Sequence, residues 1–264
     1  MTNPTLAELA RSLSEAQSSR TPTEPLIRLS PGLSIDDAYQ VQLLNIAEQA
    51  SQRNSVRGHK IGLTAAAMRR QLNVDQPDYG HLTDDMFFPG ATTISIDRFI
   101  SPRIEPEIAF VLKSRLEGPG ITVAQALAAV DYVVPALEII DSRIRDWEIT
   151  LVDTIADNAS SGGVILGRQH TALASFDLRL VGCNLTKNGE IVATGAGGAV
   201  LGSPINALVW LANALGERGV VLEAGQVILS GAVTGSVPIQ SGDMVLATFA
   251  SLGTVSTRFH SEQS

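Results

Sequence analysis

The composition of this 264-residue chain is that of a folded globular protein. Hydrophobic residues make up 44% and charged residues 17%, and 19 Lys+Arg against 27 Asp+Glu give a net charge of −8. The apolar share is sufficient for a hydrophobic core and argues against a largely disordered chain. An acidic chain without a Lys/Arg cluster offers little to a phosphate backbone or an anionic membrane surface, so we expect neither nucleic acid nor a membrane as a partner.

The cysteine content and the N-terminus indicate a cytoplasmic protein. Cys183 is the only cysteine, which excludes an intramolecular disulfide and a Cys-rich metal site. The first twenty residues lack the basic and apolar regions of a signal peptide. No window contains the ~18 consecutive apolar residues of a membrane span, so none is expected.

Helices are predicted first near the N-terminus. Apolar residues recur at helical spacing over residues 4–18. A second helix is predicted from an N-cap at Ser34, with Asp37 three residues later, to about residue 50. Two further helices are predicted over residues 122–130 and from Ser203-Pro204 to near Gly219.

After residue 57 the chain changes to short apolar runs separated by Gly and Pro, which predicts strands. The runs are HKIGLT, TTISI, EIAFVL, DYVVPALEII, GGVILG, LRLVGCNL, EIVATG, QVILSG, MVLATF and TVSTRF. Asn188-Gly189, between two of these runs, predicts a hairpin. A helical portion over residues 1–55 followed by a β-rich domain over residues 56–264 predicts an α+β fold.

Three glutamates are candidate metal ligands. Glu105 and Glu107 lie at positions i and i+2 of a predicted strand, so their side chains share one face. Such a pair can be a solvated face, since Glu is mostly exposed, but Glu138 lies inside an apolar run where an unpaired charge is costly. Three carboxylates without Cys or His partners suit a hard divalent ion, Mg²⁺ or Mn²⁺. Spacing alone leaves both interpretations open.

Lys60 and Asp78 are further polar candidates. Lys60 stands in an apolar strand, where it could form a salt bridge or take part in proton transfer. Asp78 lies among turn-forming residues and could be a turn residue itself. The polar stretch over residues 141–163 follows a buried strand and is either a solvated connection or a place for site residues.

Other catalytic classes lack their motifs in this chain. No Walker A loop, GxSxG elbow or HExxH pattern occurs. The run over residues 195–200 lacks the final glycine of a dinucleotide fingerprint, and the four histidines are too scattered to suggest a triad. Nucleophilic and zinc chemistry therefore have little support.

Seven segments spread along the chain match the motifs of one enzyme family. They are GHKIGLT, VDQPDYGHLTDDMFF, SPRIEPEIAFVL, VVPALEIIDSRIRDW, DTIADNASSG, GAVLGSPINALVWLANAL and AGQVILSG. In order and spacing they resemble the 2-keto-4-pentenoate hydratases (2-hydroxypenta-2,4-dienoate hydratases) of aromatic meta-cleavage pathways, within the fumarylacetoacetate-hydrolase-like superfamily. The resemblance covers the chain from about residue 5 to residue 259, so it is far more specific than any single motif.

The resemblance implies a helical N-terminal portion followed by a fumarylacetoacetate-hydrolase-like mixed β core with flanking helices. It implies that the divalent-metal ligands are Glu105, Glu107 and Glu138, with Mg²⁺ or Mn²⁺ as the metal. It also implies that Lys60 and Asp78 are the catalytic residues.

Substrate contacts and partners are implied in the same way. Leu63, Ser160 and Thr234 are expected to contact the substrate, the two hydroxyls through hydrogen bonds to its carboxylate. The partner is a small 2-hydroxydienoate or 2-oxoenoate. The resemblance further implies a homo-oligomer and a complex with a sister enzyme of the pathway.

The implied activity is addition of water to 2-hydroxypenta-2,4-dienoate, or a close 2-hydroxydienoate, to give a 4-hydroxy-2-oxoacid. The metal would stabilise negative charge at the C2 oxygen, and ketonisation would make C4 electrophilic. Asp78 would move a proton to or from C5 or the attacking water, and Lys60 would supply a proton or positive potential to the oxyanion. The division of these roles stays open.

The nearest alternative is a 4-oxalocrotonate (2-oxohex-3-enedioate) decarboxylase, whose family shares the implied metal ligands. That family differs by lacking an acidic residue at the position of Asp78, which favours hydration here. Relatives acting on a seven-carbon dicarboxylate carry extra residues after the segment that matches Asp141-Ser142-Arg143, whereas this chain continues directly to Ile144. Hydrolysis of an acylpyruvate and a non-catalytic partner subunit are the remaining alternatives.

Overall fold

The computed structural model describes residues 4–90 and 92–262. It begins with the helices α1 (Leu6–Ser19), α2 (Leu26–Leu29) and α3 (Ile35–Ser51). The two longer helices confirm the sequence prediction. Each starts with a capping box, Thr5 with Glu8 and Ser34 with Asp37, in which each side chain satisfies a backbone amide of the other residue.

Four more α-helices lie in the rest of the described chain: α4 (Ala66–Leu72), α5 (Val123–Ala129), α6 (Leu151–Ala156) and α7 (Pro204–Gly216). The predictions of α5 and α7 are confirmed, although α7 ends before Gly219. The sequence does not predict α4 and α6, because both are too short to show a helical period. Residues 153–156 of α6 are buried, so the polar stretch over residues 141–163 is not simply a solvated connection.

The larger of two sheets carries the site residues. Its strands are β1 (Val56–Gly62), β2 (Asp78–Thr83), β3 (Phe87–Phe88), β5 (Arg103–Leu112), β6 (Val130–Ile140), β7 (Ser161–Leu166), β10 (Val227–Ala232) and β11 (Val237–Pro238). The order is β2-β1-β10-β5-β6-β7-β3, with β11 beside β5. All pairs are antiparallel except β1 with β10 and β3 with β7.

The second sheet contains the predicted hairpin. Its strands are β4 (Thr93–Ser95), β8 (Gly182–Lys187), β9 (Glu190–Ala196), β12 (Met244–Phe249) and β13 (Gly253–His260), in the order β4-β13-β12-β8-β9. Asn188 and Gly189 join β8 to β9 with φ of 55° and 88°, as a type I′ turn requires. The prediction of a strand over LRLVGCNL is wrong in its first half, because Leu178–Leu180 form a 3-10 turn and the strand begins at Gly182.

The larger sheet is curved and encloses one of its faces. Strands β2 and β7 approach so closely that a Cβ on Gly80 would lie 2.8 Å from Oγ of Ser161. Strand alternation places a small apolar cluster on the enclosed face: Leu82, Met86, Ala109, Val134, Ala136, Val164, Val227 and Leu229. The polar site residues share this face, so the apolar cluster packs beside them within the same curved sheet.

Helix α7 is an internal helix. The segment Gly197–Gly216 is long and apolar enough to cross a bilayer by length and composition. Its α-helical part has 13 residues, fewer than the ~20 that a bilayer requires. Leu208 and Leu211 are fully buried in the main hydrophobic cluster, as expected of a core helix.

The N-terminal helices pack on the rest of the chain. Leu13 of α1 and Val41 of α3 belong to the main hydrophobic cluster. The side-chain amide of Gln42 donates to the carbonyls of Tyr79 at 3.0 Å and Ile155 at 2.8 Å. The division into residues 1–55 and 56–264 stays a prediction.

Candidate active site

Three glutamates meet on the enclosed face of the larger sheet. Glu105 and Glu107 alternate along β5, and Glu105 lies directly opposite Glu138 of β6. One carboxylate oxygen of each lies within 4.8 Å of those of the other two. Glu107 and Glu138 are buried, and Glu105 is partly exposed. The pairing of β5 with β6 therefore gathers the carboxylates into one cluster.

The surroundings of the cluster fit a divalent cation. Both oxygens of Glu138 are buried without a hydrogen-bond partner in the described part of the chain, although Nζ of Lys60 lies 3.2 Å from Oε1. Oε2 of Glu107 accepts a hydrogen bond from the amide of Gly231 at 2.7 Å. Burial raises the pKa of all three glutamates, that of Glu105 to about 7. A cation would offset this cost, and an all-oxygen donor set suits Mg²⁺ or Mn²⁺.

Lys60 is a buried ammonium within this cluster. It lies on β1 and forms the salt bridge with Glu138. Burial by itself lowers the pKa of Lys60, but the charges of Glu138, Asp78, Glu105 and Glu107 outweigh burial, so the pKa is raised. Lys60 is therefore protonated at neutral pH. The salt-bridge interpretation is confirmed, and it places a positive charge beside the carboxylates.

Asp78 is the first residue of β2 and not part of a turn. Oδ2 of Asp78 accepts a hydrogen bond from Oγ1 of Thr154 at 3.1 Å. A Cβ on Gly62 would overlap Oδ1 of Asp78. Burial raises the pKa of Asp78 against the opposing effects of Lys60 and Thr154. A carboxyl with a raised pKa near a protonated lysine is suited to proton transfer.

A cavity of about 280 Å³ opens onto these side chains. The predicted site residues that line it are Lys60, Leu63, Asp78, Glu105, Ser160 and Thr234. Oγ of Ser160 donates to Oδ2 of Asp157 at 3.3 Å, and Oγ1 of Thr234 donates to the carbonyl of Gly235 at 3.0 Å. Both hydroxyls thus have internal acceptors. The substrate contacts of Leu63, Ser160 and Thr234 stay predictions.

Two further cavity residues are not predicted from the sequence. Arg103 lies two residues before Glu105 on the same strand face, and that alternation is the signal that could have found it. Its guanidinium carbon lies 5.2 Å from the ring centroid of Trp147. Thr154 is 76 residues from Asp78 along the chain, and no local pattern connects the two.

A buried ion pair holds the segment that carries Ser160. Nε of Arg143 donates to Oδ1 of Asp157 at 2.5 Å, and its other nitrogens donate to the carbonyls of Asp141, Asp157 and Ser161. Residues 158–160 all have φ between 50° and 54°, a region that residues other than glycine rarely adopt. Such strain persists only where the surroundings enforce it. The ion pair thus fixes part of the cavity wall.

A larger cavity of about 520 Å³ lies against α1, α3 and this same segment. Arg143 and Asp157 help to line it, together with polar side chains of the two helices. None of the predicted site residues lines it. The chemistry of the glutamates, Lys60 and Asp78 therefore identifies the smaller cavity as the candidate active site.

Residues 46–260 match the family model described as fumarylacetoacetate (FAA) hydrolase C-terminal. The chain belongs to this family. The matched residues include both sheets and every predicted site residue.

Relatives in the family carry both hydratase and decarboxylase names. The chain is 46% identical to the 2-keto-4-pentenoate hydratase of Paraburkholderia xenovorans (strain LB400), covering 97% of this chain and 95% of the relative. It is 42% identical to the 4-oxalocrotonate decarboxylase of Pseudomonas sp. (strain CF600), covering 87% of each. The solved structure of 4-oxalocrotonate decarboxylase from Pseudomonas putida G7, complexed with magnesium and adipate, has a TM-score of 0.94 and 37% identity and covers 98% of each chain. The predicted family and mixed α/β fold are confirmed.

Proposed function

We propose that this FAA hydrolase family protein is a divalent-metal-dependent hydratase. It adds water to 2-hydroxypenta-2,4-dienoate, or a close 2-hydroxydienoate, and gives a 4-hydroxy-2-oxoacid. The observation that carries the proposal is the buried carboxyl of Asp78, which lines the same cavity as Lys60 and Glu105. Relatives named as hydratases, 43% to 46% identical to this chain, support it.

The cation is proposed to bind at Glu105, Glu107 and Glu138. Among the described residues the Glu138 oxygens accept no hydrogen bond, and the three carboxylates lie close together; both observations support this assignment. Mg²⁺ is the proposed ion and Mn²⁺ the alternative, since the decarboxylase structure at 37% identity is a magnesium complex and both ions favour oxygen ligands. When bound, a divalent cation supplies electrostatic stabilisation of negative charge on substrate oxygens.

Lys60 and Asp78 are proposed to handle the protons. Lys60 is protonated, since its pKa is raised, so it can stabilise or protonate the C2 oxygen of the substrate. Asp78 has a pKa raised by burial, which brings it closer to the operating pH for proton transfer at C5 or at the attacking water. The hydroxyl of Thr154, which donates to Asp78, orients that carboxyl.

A decarboxylase acting on 2-oxohex-3-enedioate is the second candidate. The TM-score of 0.94 with a solved 4-oxalocrotonate decarboxylase favours it. Loss of CO₂ leaves the electron pair of the broken carbon–carbon bond in the dienol product, so no carbon atom has to be protonated. Hydration requires proton transfer at carbon and at water, which gives the buried carboxyl of Asp78 a function. We therefore place hydration first.

Two substrates separate the candidates. The protein with Mg²⁺ is incubated with 2-hydroxypenta-2,4-dienoate and, separately, with 2-oxohex-3-enedioate. Loss of the dienol absorbance with formation of the 4-hydroxy-2-oxoacid is the expected result with the first substrate. Release of CO₂ from the second substrate without hydration of the first would overturn the proposal in favour of the decarboxylase. A further incubation with an acylpyruvate tests for hydrolysis, which would yield two carboxylic acids.

Variants separate the metal site from the proton-transfer groups. Glu107→Gln is expected to weaken Mg²⁺ binding in calorimetry and to lower turnover, and a chelator should abolish turnover of the unmodified protein. Asp78→Asn is expected to bind Mg²⁺ normally and to lower kcat about 10²- to 10⁴-fold. Glu117→Gln, at an exposed carboxylate, is the control. Normal turnover by Glu107→Gln would contradict the metal assignment.

The chain is also proposed to form a homo-oligomer. Ile191 and Val192 of the edge strand β9 and Met244 of β12 are exposed apolar side chains on the second sheet, and an oligomer could bury them. Light scattering after size exclusion measures the subunit number, and a monomer at working concentration would contradict the proposal.

A complex with a sister enzyme of the pathway is tested by mixing the two and repeating the measurement.

A further inference from the structure

Arg103 is a cation on the cavity wall whose donors are largely unused. It lines the cavity one strand position beyond Glu105, opposite Ile140. Within residues 4–90 and 92–262 it forms no ion pair with a carboxylate. Its hydrogen bond from Nη1 to Oγ of Ser236 is long, at 3.5 Å. Because a guanidinium carries five N–H donors, Arg103 retains capacity for an anion.

Trp147 holds the side chain of Arg103 in position. The guanidinium carbon lies 5.2 Å from the indole centroid, within the range of a cation–π contact. Nε1 of Trp147 donates to the carbonyl of Ser101 at 3.1 Å, which fixes the ring. Asp146 and Trp147 both have positive φ, 54° and 57°, a conformation that costs energy. The fold therefore maintains an aromatic support under Arg103.

Arg103 lies at the carboxylate end of the cavity. Residues i and i+2 of a strand are ~7 Å apart on one face, so Arg103 neighbours Glu105. Asp78 comes from β2, which β1 and β10 separate from β5. A 2-hydroxydienoate whose C1 carboxylate and C2 oxygen lie at the glutamates, with Lys60 beside the C2 oxygen, extends its reacting carbons C4 and C5 towards Asp78. Its carboxylate then lies next to Arg103.

Other polar groups of the cavity are already committed. The hydroxyls of Ser160 and Thr234 donate to Asp157 and Gly235, and Lys60 pairs with Glu138. The remaining wall includes apolar side chains such as Met68, Ile140 and Ile149. Among the described lining residues, Arg103 is therefore the cation that is free to bind a substrate carboxylate.

We propose that Arg103 binds the C1 carboxylate of the substrate and that the protein prefers 2-hydroxydienoates with one carboxylate and a short apolar end over dicarboxylates. One free cation serves one carboxylate, and a second carboxylate would meet an apolar wall without a partner, which is costly. The proposal rests on the proposed function, since it deepens the substrate assignment of the same cavity.

The test compares Arg103→Gln and Arg103→Lys with the unmodified protein. Kinetics are measured with 2-hydroxypenta-2,4-dienoate and with a dicarboxylate analogue, 2-hydroxyhexa-2,4-dienedioate. Binding of pyruvate, a 2-oxo monocarboxylate, is measured by calorimetry with Mg²⁺ present, and Mg²⁺ binding is measured alone. Arg115→Gln, which removes an exposed arginine on the surface, is the matched control.

The expected result is a roughly 10- to 100-fold rise in KM for the monocarboxylate with Arg103→Gln, as loss of a charge-assisted hydrogen bond predicts. The Kd of pyruvate should rise by a similar factor, Mg²⁺ affinity should not fall, and Arg103→Lys should restore part of the loss. The unmodified protein should favour the monocarboxylate in kcat/KM.

Two results would overturn the proposal. One is a preference of the unmodified protein for the dicarboxylate that Arg103→Gln removes, since Arg103 would then bind the distal carboxylate. The other is unchanged pyruvate binding by Arg103→Gln. If the unmodified protein releases CO₂ instead of adding water, the proposed function fails, but pyruvate binding still tests the role of Arg103 independently.

Discussion

Nζ of Lys60 lies 3.2 Å from Oε1 of Glu138, and both side chains are buried. This contact is the link between the candidate metal ligands and the candidate proton-transfer groups. Lys60 is a counter-ion that is present whether or not the glutamates hold a cation. Its removal should therefore affect stability most when no cation is bound.

Lys60→Met tests this role. Without Mg²⁺ we expect the free energy of unfolding to fall by about 3–5 kcal/mol, because the variant leaves a buried carboxylate without its partner. With saturating Mg²⁺ the loss should be smaller, because the cation compensates Glu138. Urea unfolding with chelator and with Mg²⁺ measures both values. Equal losses in the two conditions would contradict the idea that Lys60 and the cation both compensate Glu138. Arg115→Met, at an exposed ion pair, should leave both free energies of unfolding unchanged.

The second prediction concerns the space beside Asp78. A Cβ on Gly62 would overlap Oδ1 of Asp78, so Gly62→Ala should displace that carboxyl while leaving the charges of the site unchanged. Because small displacements of a catalytic group are costly, we expect kcat to fall at least about 10-fold, with Mg²⁺ affinity retained. Gly182→Ala, where a Cβ meets no atom within 4 Å, is the control. Unchanged kcat in Gly62→Ala would argue against Asp78 as a catalytic residue.

The third prediction concerns the buried ion pair of Arg143 and Asp157. Burial raises the pKa of Asp157 to about 6 despite the opposing effect of Arg143, so the pair itself is costly to bury. Breaking it is costlier, because Asp157→Asn leaves a buried guanidinium without its counter-ion, and we expect a loss of about 3–5 kcal/mol in the free energy of unfolding. The position of Ser160 depends on the same network, so kcat/KM should also fall.

Urea unfolding and steady-state kinetics measure these two effects of Asp157→Asn. Asp177→Asn breaks the exposed pair of Asp177 with Arg179 and should leave both quantities unchanged, since exposed pairs contribute little. If Asp157→Asn is as stable as the unmodified protein, the ion pair does not hold the strained segment over residues 158–160.

The parts of the site that the sequence predicts are those on regular strands. Glu105, Glu107, Glu138 and Lys60 all lie in runs that the sequence predicts as strands, and the pairing of β5 with β6 places Glu138 opposite Glu105. Asp78 is predicted through the family resemblance, because the turn-forming residues before it hide its strand. The contacts of Asp78 with Thr154 and of Arg143 with Asp157 join distant or strained segments, for which local patterns carry no signal.

The last prediction concerns acid sensitivity and the facing histidines His59 and His81. They lie directly opposite each other on β1 and β2, with ring centroids 4.9 Å apart. Nδ1 of each is buried without a hydrogen-bond partner among the described residues. Burial lowers the pKa of His81 to about 4, and burial together with the charge of His81 lowers that of His59 well below its ordinary value.

Both histidines are therefore neutral in the folded protein while an unfolded chain takes up protons below about pH 6.5. The contribution of these two histidines to stability therefore falls as the pH decreases from about 6.5 towards 4, because at these two positions the unfolded state binds more protons in that window. Between pH 7.5 and pH 5, His81→Phe should lose about 2 kcal/mol less of its free energy of unfolding than the unmodified protein. This value follows because pH 5 lies about 1.5 units below the pKa of a histidine in an unfolded chain. Asp157 and Glu105, with pKa values raised to about 6 and about 7, act in the opposite direction but are common to both proteins.

Urea unfolding in chelator at the two pH values measures the difference. His260→Gln, at an exposed histidine, should keep the original acid dependence, and an equal dependence in His81→Phe would show that His81 does not cause it.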